Sequence, residues 1–265
     1  MKVCNMFKTL PVNRVSYRAL RVWQRNFDVF LMLWKTEFWP PLIEPLFNLL
    51  AMGFGLGAYV TDINGMSYLQ FIAPAFIAVT VMFTSSFECT YGSYVRMEYQ
   101  KTFDAIIATP VNIEDVIAGE ILYGASRSIL SAIGVLFIIS LFGLVSSPWA
   151  LLTPFVALLG GIMLSSLAMF VTSIVPSINE FNYYFTLCLT PMFLFSDVFF
   201  PLQSLPEWIR WAGWLSPLTH VVNIERLLVL GRIEPVMIYN FLYIIIFGFV
   251  LFNIDLVLMR RRLIK

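Results

Sequence analysis

The chain has 265 residues, of which 59% are hydrophobic and 12% are charged, and its net charge at pH 7 is +1. A soluble domain carries about 25% charged residues, so the excess apolar surface indicates a protein that faces lipid. The near-neutral charge argues against a nucleic-acid partner, which requires a basic surface. Three cysteines without a C-x-x-C pair and a single histidine give neither a disulfide framework nor a metal site.

The N-terminal part is basic and then amphipathic. The first long apolar run starts near Phe27, after six basic residues and without a cleavage site, so we expect no cleavable signal. Within residues 13–34, Arg14, Arg18, Arg21 and Arg25 recur at helical spacing beside an apolar face. This pattern predicts an interfacial helix on anionic headgroups. The alternative is an extended start of the first span.

Apolar segments long enough to cross the membrane recur along the chain. A helix needs about 20 apolar residues to cross about 30 Å of hydrocarbon, and lipid offers no partners to non-helical backbone. The sequence therefore predicts an all-α integral membrane protein, with residues 1–265 as a single domain. The first span contains three prolines, which predict a late start or a kink. The six predicted spans are 39–60, 67–88, 118–143, 149–175, 181–200 and 235–259.

Basic residues are distributed unevenly between the connections. Thirteen of the seventeen Lys and Arg residues lie in the N-terminal segment, the 89–117 loop and the C-terminal tail. Segments 61–66 and 144–148 contain none, and the connection between spans five and six contains three. The positive-inside rule therefore predicts that both termini are cytoplasmic, in agreement with an even number of spans.

Two connections are too long to be simple turns. In the 89–117 loop, charged residues recur every two or three positions from Arg96 to Asp104 beside apolar ones, which predicts a short amphipathic helix ending at Thr109-Pro110. That helix is either a docking site for a cytoplasmic partner or a solvated interfacial loop. Segment 197–234 is rich in tryptophan and proline, and it predicts two short helices that dip into the outer leaflet.

Ionisable residues near or within the spans are candidate sites, because a charge in the membrane is costly. Glu120 and Arg127 lie seven residues apart on one face of span three, where we expect them to pair with charges such as Glu88. We interpret these three as a structural polar clamp, with a proton relay as the alternative. Asp197 and His220 fall in the outer segment with Trp208, where contact with headgroups or packing is favoured over catalysis.

Three catalytic motifs are absent from the sequence. The chain contains no G-x-x-x-x-G-K-S/T, no H-E-x-x-H and no G-x-S-x-G. It therefore does not hydrolyse ATP through a P-loop, and we predict neither catalytic nor metal-binding residues.

Several stretches resemble the permease subunits of type-2 ABC exporters, and most of all the branch of nodulation-factor export permeases. The similarity is spread over most of the chain from about residue 40, and residues 1–39 match in character only. The stretches are GMSYL (65–69), FECTYGSYVRMEYQKTFDAIIATPVNIEDVIAGEIL (87–122), NYYFTLCLTPMFLFS (182–196), FFPLQSLPEW (199–208) and WLSPLTHVV (214–222).

The resemblance implies a bacterial inner-membrane exporter in which two copies form the pore. Each copy would dock on a separate cytoplasmic ATPase, which carries the ATP and Mg²⁺, so the chain itself needs no cofactor. Segment 13–34 would be a gate helix, and segment 200–230 would be a re-entrant pair. Asp197 stands where the resemblance leads us to expect a small residue such as glycine in many relatives. The implied coupling helix, 96–108, contains Arg96, Tyr99, Lys101, Thr102, Phe103 and Asp104.

We hypothesise that spans one and five line a path for a lipid-linked or acylated oligosaccharide. Each aromatic residue there has an alternative role in packing or in contact with lipid. Other functions left open are an ATP-independent channel or secondary transporter, a drug or antibiotic efflux permease of the same family, and a membrane enzyme acting on lipid-linked sugars. The predicted path residues are Phe47, Phe54, Tyr183, Tyr184 and Phe185.

Overall fold

The structure is a computed structural model that describes residues 15–60, 63 and 65–264. The regular secondary structure of the described part is all helical, apart from one isolated β-bridge between Ile63 and Met66, and turns and loops join the helices. The α-helices are α1 (Ala19–Glu37), α2 (Pro40–Leu50), α3 (Tyr68–Phe87), α4 (Thr102–Ile107), α5 (Ile113–Leu141), α6 (Thr153–Ile174), α7 (Phe181–Tyr183), α8 (Thr190–Phe195), α9 (Glu207–Leu215), α10 (Pro217–Leu230) and α11 (Val236–Leu263).

Four helical segments of the described chain are long and apolar enough to cross a membrane. They correspond to the predicted second, third, fourth and sixth spans. Each has 27 to 32 residues, which exceeds the length that about 30 Å of hydrocarbon requires. The segments are Tyr68–Tyr99, Ile113–Leu141, Pro148–Ile174 and Val236–Leu263.

The predicted first and fifth spans are broken rather than continuous α-helices, so four of the six predicted spans are helices of spanning length in the described part. After α2, the chain passes through a π-helical turn at Ala51–Gly55 and a 3-10 turn at Leu56–Ala58. Between α7 and α8, a π-helical segment covers Tyr184–Leu189, and helical structure ends at Phe195, before the predicted end at residue 200. Pro191 accounts for the irregularity in the fifth span, because proline removes an amide donor and its ring crowds the preceding turn.

The N-terminal helix starts later and ends later than predicted. Residues 15–18 precede α1, the helix continues to Glu37, and the predicted positions 13 and 14 lie outside the described residues. Its buried face, formed by Ala19, Val22, Asn26 and Phe30, packs on α5. Helical spacing predicted the amphipathic character, whereas the boundaries depend on this tertiary contact.

The predicted coupling segment is divided between two helices. The helix that contains α3 continues through π-helical turns at Glu88–Gly92 and Val95–Tyr99, so Arg96 belongs to the long helix. The prediction of one short helix through residues 96–108 is therefore wrong. The chain turns at Lys101, which has the left-handed φ of 52°, and only α4 forms a separate short helix.

The two ends of the bundle have different chemistry. At the end that we call the basic end, the long helix finishes at Tyr99, α5 begins at Ile113, α6 finishes at Ile174 and α11 finishes at Leu263. The opposite, tryptophan-rich end contains α9 and α10, and there Ser146 N donates to Val229 O at 3.0 Å.

The close approach of α1 to α5 depends on a glycine and leads to a prediction. A Cβ at Gly119 would lie 2.6 Å from Val22 Cβ and 2.8 Å from Ala19 O. We expect Gly119→Ala to destabilise the protein by about 1–3 kcal/mol, because the backbone of α1 must move. The matched control is Gly55→Ala, where no neighbour lies within 4 Å. Thermal unfolding in detergent measures both, and equal midpoints would contradict the close contact.

Candidate functional site

A buried ionic cluster lies toward the basic end, where α1, α5 and the extension of α3 meet. We call Asn26, Glu88, Ser93, Arg96 and Glu120 the Arg96 cluster. Arg96 Nη2 lies 2.9 Å from Glu88 Oε1 and 2.7 Å from Glu120 Oε2, and Arg96 Nε donates to the same Glu120 oxygen at 3.0 Å. The side chain of Glu120 is 1% exposed and that of Arg96 is 15% exposed. One guanidinium therefore joins two carboxylates from different helices.

Both oxygens of Glu120 also accept bonds from neutral donors. Asn26 Nδ2 donates to Oε1 at 2.6 Å, and Ser93 Oγ donates to Oε2 at 2.6 Å. Asn26 belongs to α1, so this carboxylate connects the amphipathic helix to α5 and to the extension of α3. A buried charge needs such partners, because burial without them is costly.

Local helix geometry positions the ion pair. Glu88, Gly92 and Arg96 follow one another at intervals of four residues along the π-helical extension. A Cβ at Gly92 would lie 2.7 Å from Glu88 Oε1 and 3.4 Å from both terminal nitrogens of Arg96. The glycine therefore leaves the space that the two charged side chains occupy. π-helical turns occur frequently at functional sites.

Arg127, the third predicted member of the polar clamp, lies outside this cluster. It pairs with Glu37 at the end of α1, and its guanidinium lies 4.3 Å from the ring centroid of Phe30. Glu88 and Glu120 are brought together, but through Arg96 rather than through Arg127. One ion pair, Arg127–Glu37, and one hydrogen bond to a carboxylate, Asn26–Glu120, thus attach α1 to α5.

The predicted coupling residues differ in accessibility. Tyr99, Lys101 and Asp104 are exposed at the basic end, and Thr102 is half-buried. Phe103 is 0% exposed and Arg96 is engaged in the cluster, so neither is available to a partner. Phe103 anchors α4 to the bundle. The three exposed residues form the surface that a docking protein can contact.

The end of α11 is joined to the same region. Arg262 Nη1 donates to Val175 O at 2.7 Å and also to Thr172 O, so it caps the carbonyl end of α6. Arg262 Nη2 lies 3.3 Å from Glu98 Oε1. Arg260 Nη1 lies 3.0 Å from Glu114 Oε1. These contacts connect the C-terminal helix to both α5 and the extension of α3.

The predicted path aromatics do not share one environment. Phe47 is 65% exposed and Tyr183 is 68% exposed, whereas Tyr184 is 6% exposed. The hydroxyl of Tyr184 lies 3.2 Å from Ser86 Oγ, and Phe185 is half-buried with its ring centroid 4.5 Å from that of Phe87. The side chain of Phe54 lies outside the described part. Among the four path residues whose side chains are described, Phe47 and Tyr183 have exposed rings.

At the tryptophan-rich end, Asp197 forms a buried ion pair with Arg226. Arg226 Nη2 also donates to Asp197 O at 2.5 Å, and Arg226 Nε donates to Phe71 O at 3.2 Å. Asp197 has a left-handed φ of 62°, and its Oδ1 accepts from Leu202 N at 2.8 Å. The ion pair therefore fixes the end of span five against α10 and α3.

His220 and Trp208 have contrasting positions. His220 is 0% exposed; its Nδ1 lies 2.8 Å from Asn240 Oδ1, its Nε2 lies 3.0 Å from Trp214 O, and its ring stacks on Tyr243 at 3.7 Å. Trp208 is 73% exposed on α9. The histidine packs α10 against α11, whereas the tryptophan side chain extends from the surface of α9.

The sequence reasoning missed Asn26, Ser93 and Arg226. Asn26 had a detectable signal, because it interrupts the apolar positions Val22 and Phe30 at helical spacing. Arg226 had none, since it was counted among the basic residues of an outer connection. Across the described chain, no group of three His, Cys, Asp or Glu side chains lies close enough to hold a metal ion.

Four long apolar helices in the described part define a multi-pass helical membrane protein. The chain belongs to the ABC-2 type transporter family, whose sequence profile matches residues 18–230.

Three curated relatives cover most of the chain. It is 34% identical to Nodulation protein J of Rhizobium meliloti (strain 1021), over 84% of each chain. It is 31% identical to Nodulation protein J of Sinorhizobium fredii (strain NBRC 101917 / NGR234), over 97% of each. It is 24% identical to the inner membrane transport permease YadH of Escherichia coli (strain K12), over 85% of this chain and 88% of that protein.

Proposed function

We propose that the chain is the permease subunit of an ATP-driven exporter that moves a lipid-linked or acylated oligosaccharide outward across the inner membrane. Two copies form the path, and each docks on a separate ATPase. The basic end faces the cytoplasm, in agreement with the positive-inside rule. The similarity to Nodulation protein J supports this choice of cargo class over drug efflux.

One observation carries the proposal. An exposed surface of Tyr99, Lys101 and Asp104 lies beside the Arg96 cluster, which connects it to α1 and α5. A push on α4 from a docked ATPase would therefore reach two membrane helices and the interfacial helix through buried polar contacts. Coupling between sites requires physically connected elements of this kind.

The docking surface is tested by substitution and co-purification. We expect the double variant Tyr99→Ala/Asp104→Ala to lose at least ten-fold of the co-purifying P-loop ATPase, because both side chains are exposed at the basic end. The control is Glu207→Ala/Arg210→Ala, an exposed pair at the opposite end. Gel filtration in detergent reports folding for both variants.

Two results would contradict the proposal. If the double variant retains the ATPase as fully as the control does, the ATPase docks elsewhere. If the wild-type chain purifies alone and transports in vesicles without ATP, it is a channel or secondary carrier. Mass analysis of the exported material then identifies the cargo class.

A further inference from the structure

An apolar groove opens on the surface of the bundle, and residues of α1, α5, α6 and α11 line it. Its volume is about 500 Å³. The small residues Ala19, Ala118 and Gly248 form its buried floor. Leu20, Ile245 and Phe249, each more than 50% exposed, form its rim. The groove exists because small side chains on three helices face larger ones at its edges.

The groove offers nothing to a polar ligand. Among its lining residues the only polar side chain is Ser16, whose N and Oγ already donate to the two carboxylate oxygens of Asp115 at 2.6 Å and 3.0 Å. An apolar cavity without free polar partners does not hold ordered water. Its occupant must therefore be hydrocarbon.

The direction and depth of the groove match one leaflet. It begins near the Ser16–Asp115 contact at the basic end and follows α11 from Phe252 back to Ile244. Eight residues of helix correspond to about 12 Å, which is most of the half-thickness of about 15 Å of the hydrocarbon region. A lipid chain that enters from the basic end would lie along its length.

The surface around the polar end of the groove is basic. Arg18 directly precedes α1, Arg21 and Arg25 lie on it, and Arg260 and Arg261 lie at the end of α11. Arg260 is 44% exposed in spite of its contact with Glu114. Clusters of arginine beside a membrane attract anionic headgroups.

We propose that the groove holds one acyl chain of an anionic phospholipid from the leaflet at the basic end. The chain fills the space beside α1, and the headgroup lies among the arginines. The lipid then supports the position of α1, and through Asn26 that of the Arg96 cluster. This assignment concerns a resident membrane lipid, and it does not depend on the identity of the cargo.

Native mass spectrometry tests the assignment directly. The wild-type chain is reconstituted with phosphatidylglycerol and phosphatidylcholine, transferred to detergent and weighed. We expect one retained phosphatidylglycerol per chain. Ile245→Trp fills the groove from its rim and is expected to reduce retention at least five-fold. Its matched control is Ile246→Trp, because the neighbouring Ile246 is 60% exposed and does not line the groove.

Each outcome decides the proposal. Retention by wild type and Ile246→Trp, with loss in Ile245→Trp, supports it. The proposal is overturned if the wild type retains no lipid, or if the two variants retain lipid equally. If the wild type retains phosphatidylcholine as well as it retains phosphatidylglycerol, the assignment of an anionic lipid is overturned. Ala118→Leu fills the groove from its floor and replaces Ile245→Trp if that variant does not fold. The assay contains no ATP or ATPase, so its failure is separate from any failure of the export function.

Discussion

Arg96→Met is expected to destabilise the protein by about 3–5 kcal/mol, because it leaves Glu88 and Glu120 without their cationic partner in a buried site. Export should fall with it, since the contact of Glu120 with Asn26 of α1 depends on the same carboxylate. The change in the free energy of unfolding is measured in a denaturing detergent series, and export is measured in cells.

A matched control and a rescue make this result specific. Lys101→Met makes the same type of change in an exposed pair, where Lys101 Nζ lies 3.3 Å from Glu98 Oε2, and it should cost less than about 1 kcal/mol. Removing the charges together, as Arg96→Met/Glu88→Gln/Glu120→Gln, should recover much of the stability, because no unpaired buried charge remains. If Arg96→Met costs no more than Lys101→Met, the cluster does not hold these helices together.

Arg226→Met is expected to have a comparable effect at the opposite end of the bundle, about 3–5 kcal/mol. It removes the ion pair with Asp197 and the bonds to the carbonyl oxygens of Asp197 and Phe71. The exposed pair Arg210–Glu207, with a separation of 3.7 Å, provides the control variant Arg210→Met. Thermal unfolding in detergent compares the two variants, and equal midpoints would show that the Asp197 contact is dispensable.

Substitutions at Asp197 separate its charge from its backbone conformation. Both Asp197→Ala and Asp197→Gly remove the carboxylate, but only glycine adopts a φ of 62° at no steric cost. The alanine variant should therefore be less stable than the glycine variant by about 1 kcal/mol. Equal stability would mean that the local backbone relaxes.

Composition and periodicity were sufficient to predict the class of protein and most of its long helices. Long apolar runs must be helical in lipid, so segments such as 118–143 and 235–259 were predicted to be helices. Their bounds agree with those of α5 and α11 to within a few residues, except that α5 begins earlier, at Ile113, and α11 ends later, at Leu263. The broken first and fifth spans were less predictable. Hydropathy does not distinguish a regular α-helix from one interrupted by π-helical turns at Ala51–Gly55 and Tyr184–Leu189.

The candidate site was only partly predictable. Glu88 and Glu120 were recognised because charge is costly in a membrane. Their partner, Arg96, was predicted to belong to the coupling surface instead, because the residue spacing around it does not show that the long helix continues to Tyr99. Arg127 was placed with these acids by its distance along α5, whereas its actual partner is Glu37, 90 residues earlier.

The sequence by itself determined that this protein is surrounded by lipid, because a chain with 59% hydrophobic residues cannot bury them all in a core of its own. It also determined the amphipathic character of α1 and the concentration of basic residues in the termini and the 89–117 loop, since periodicity and charge are local properties. Only the tertiary structure decided which charges pair. Glu120 meets Asn26, Ser93 and Arg96 because three helices cross at one point, and such contacts between distant residues have no periodic signature.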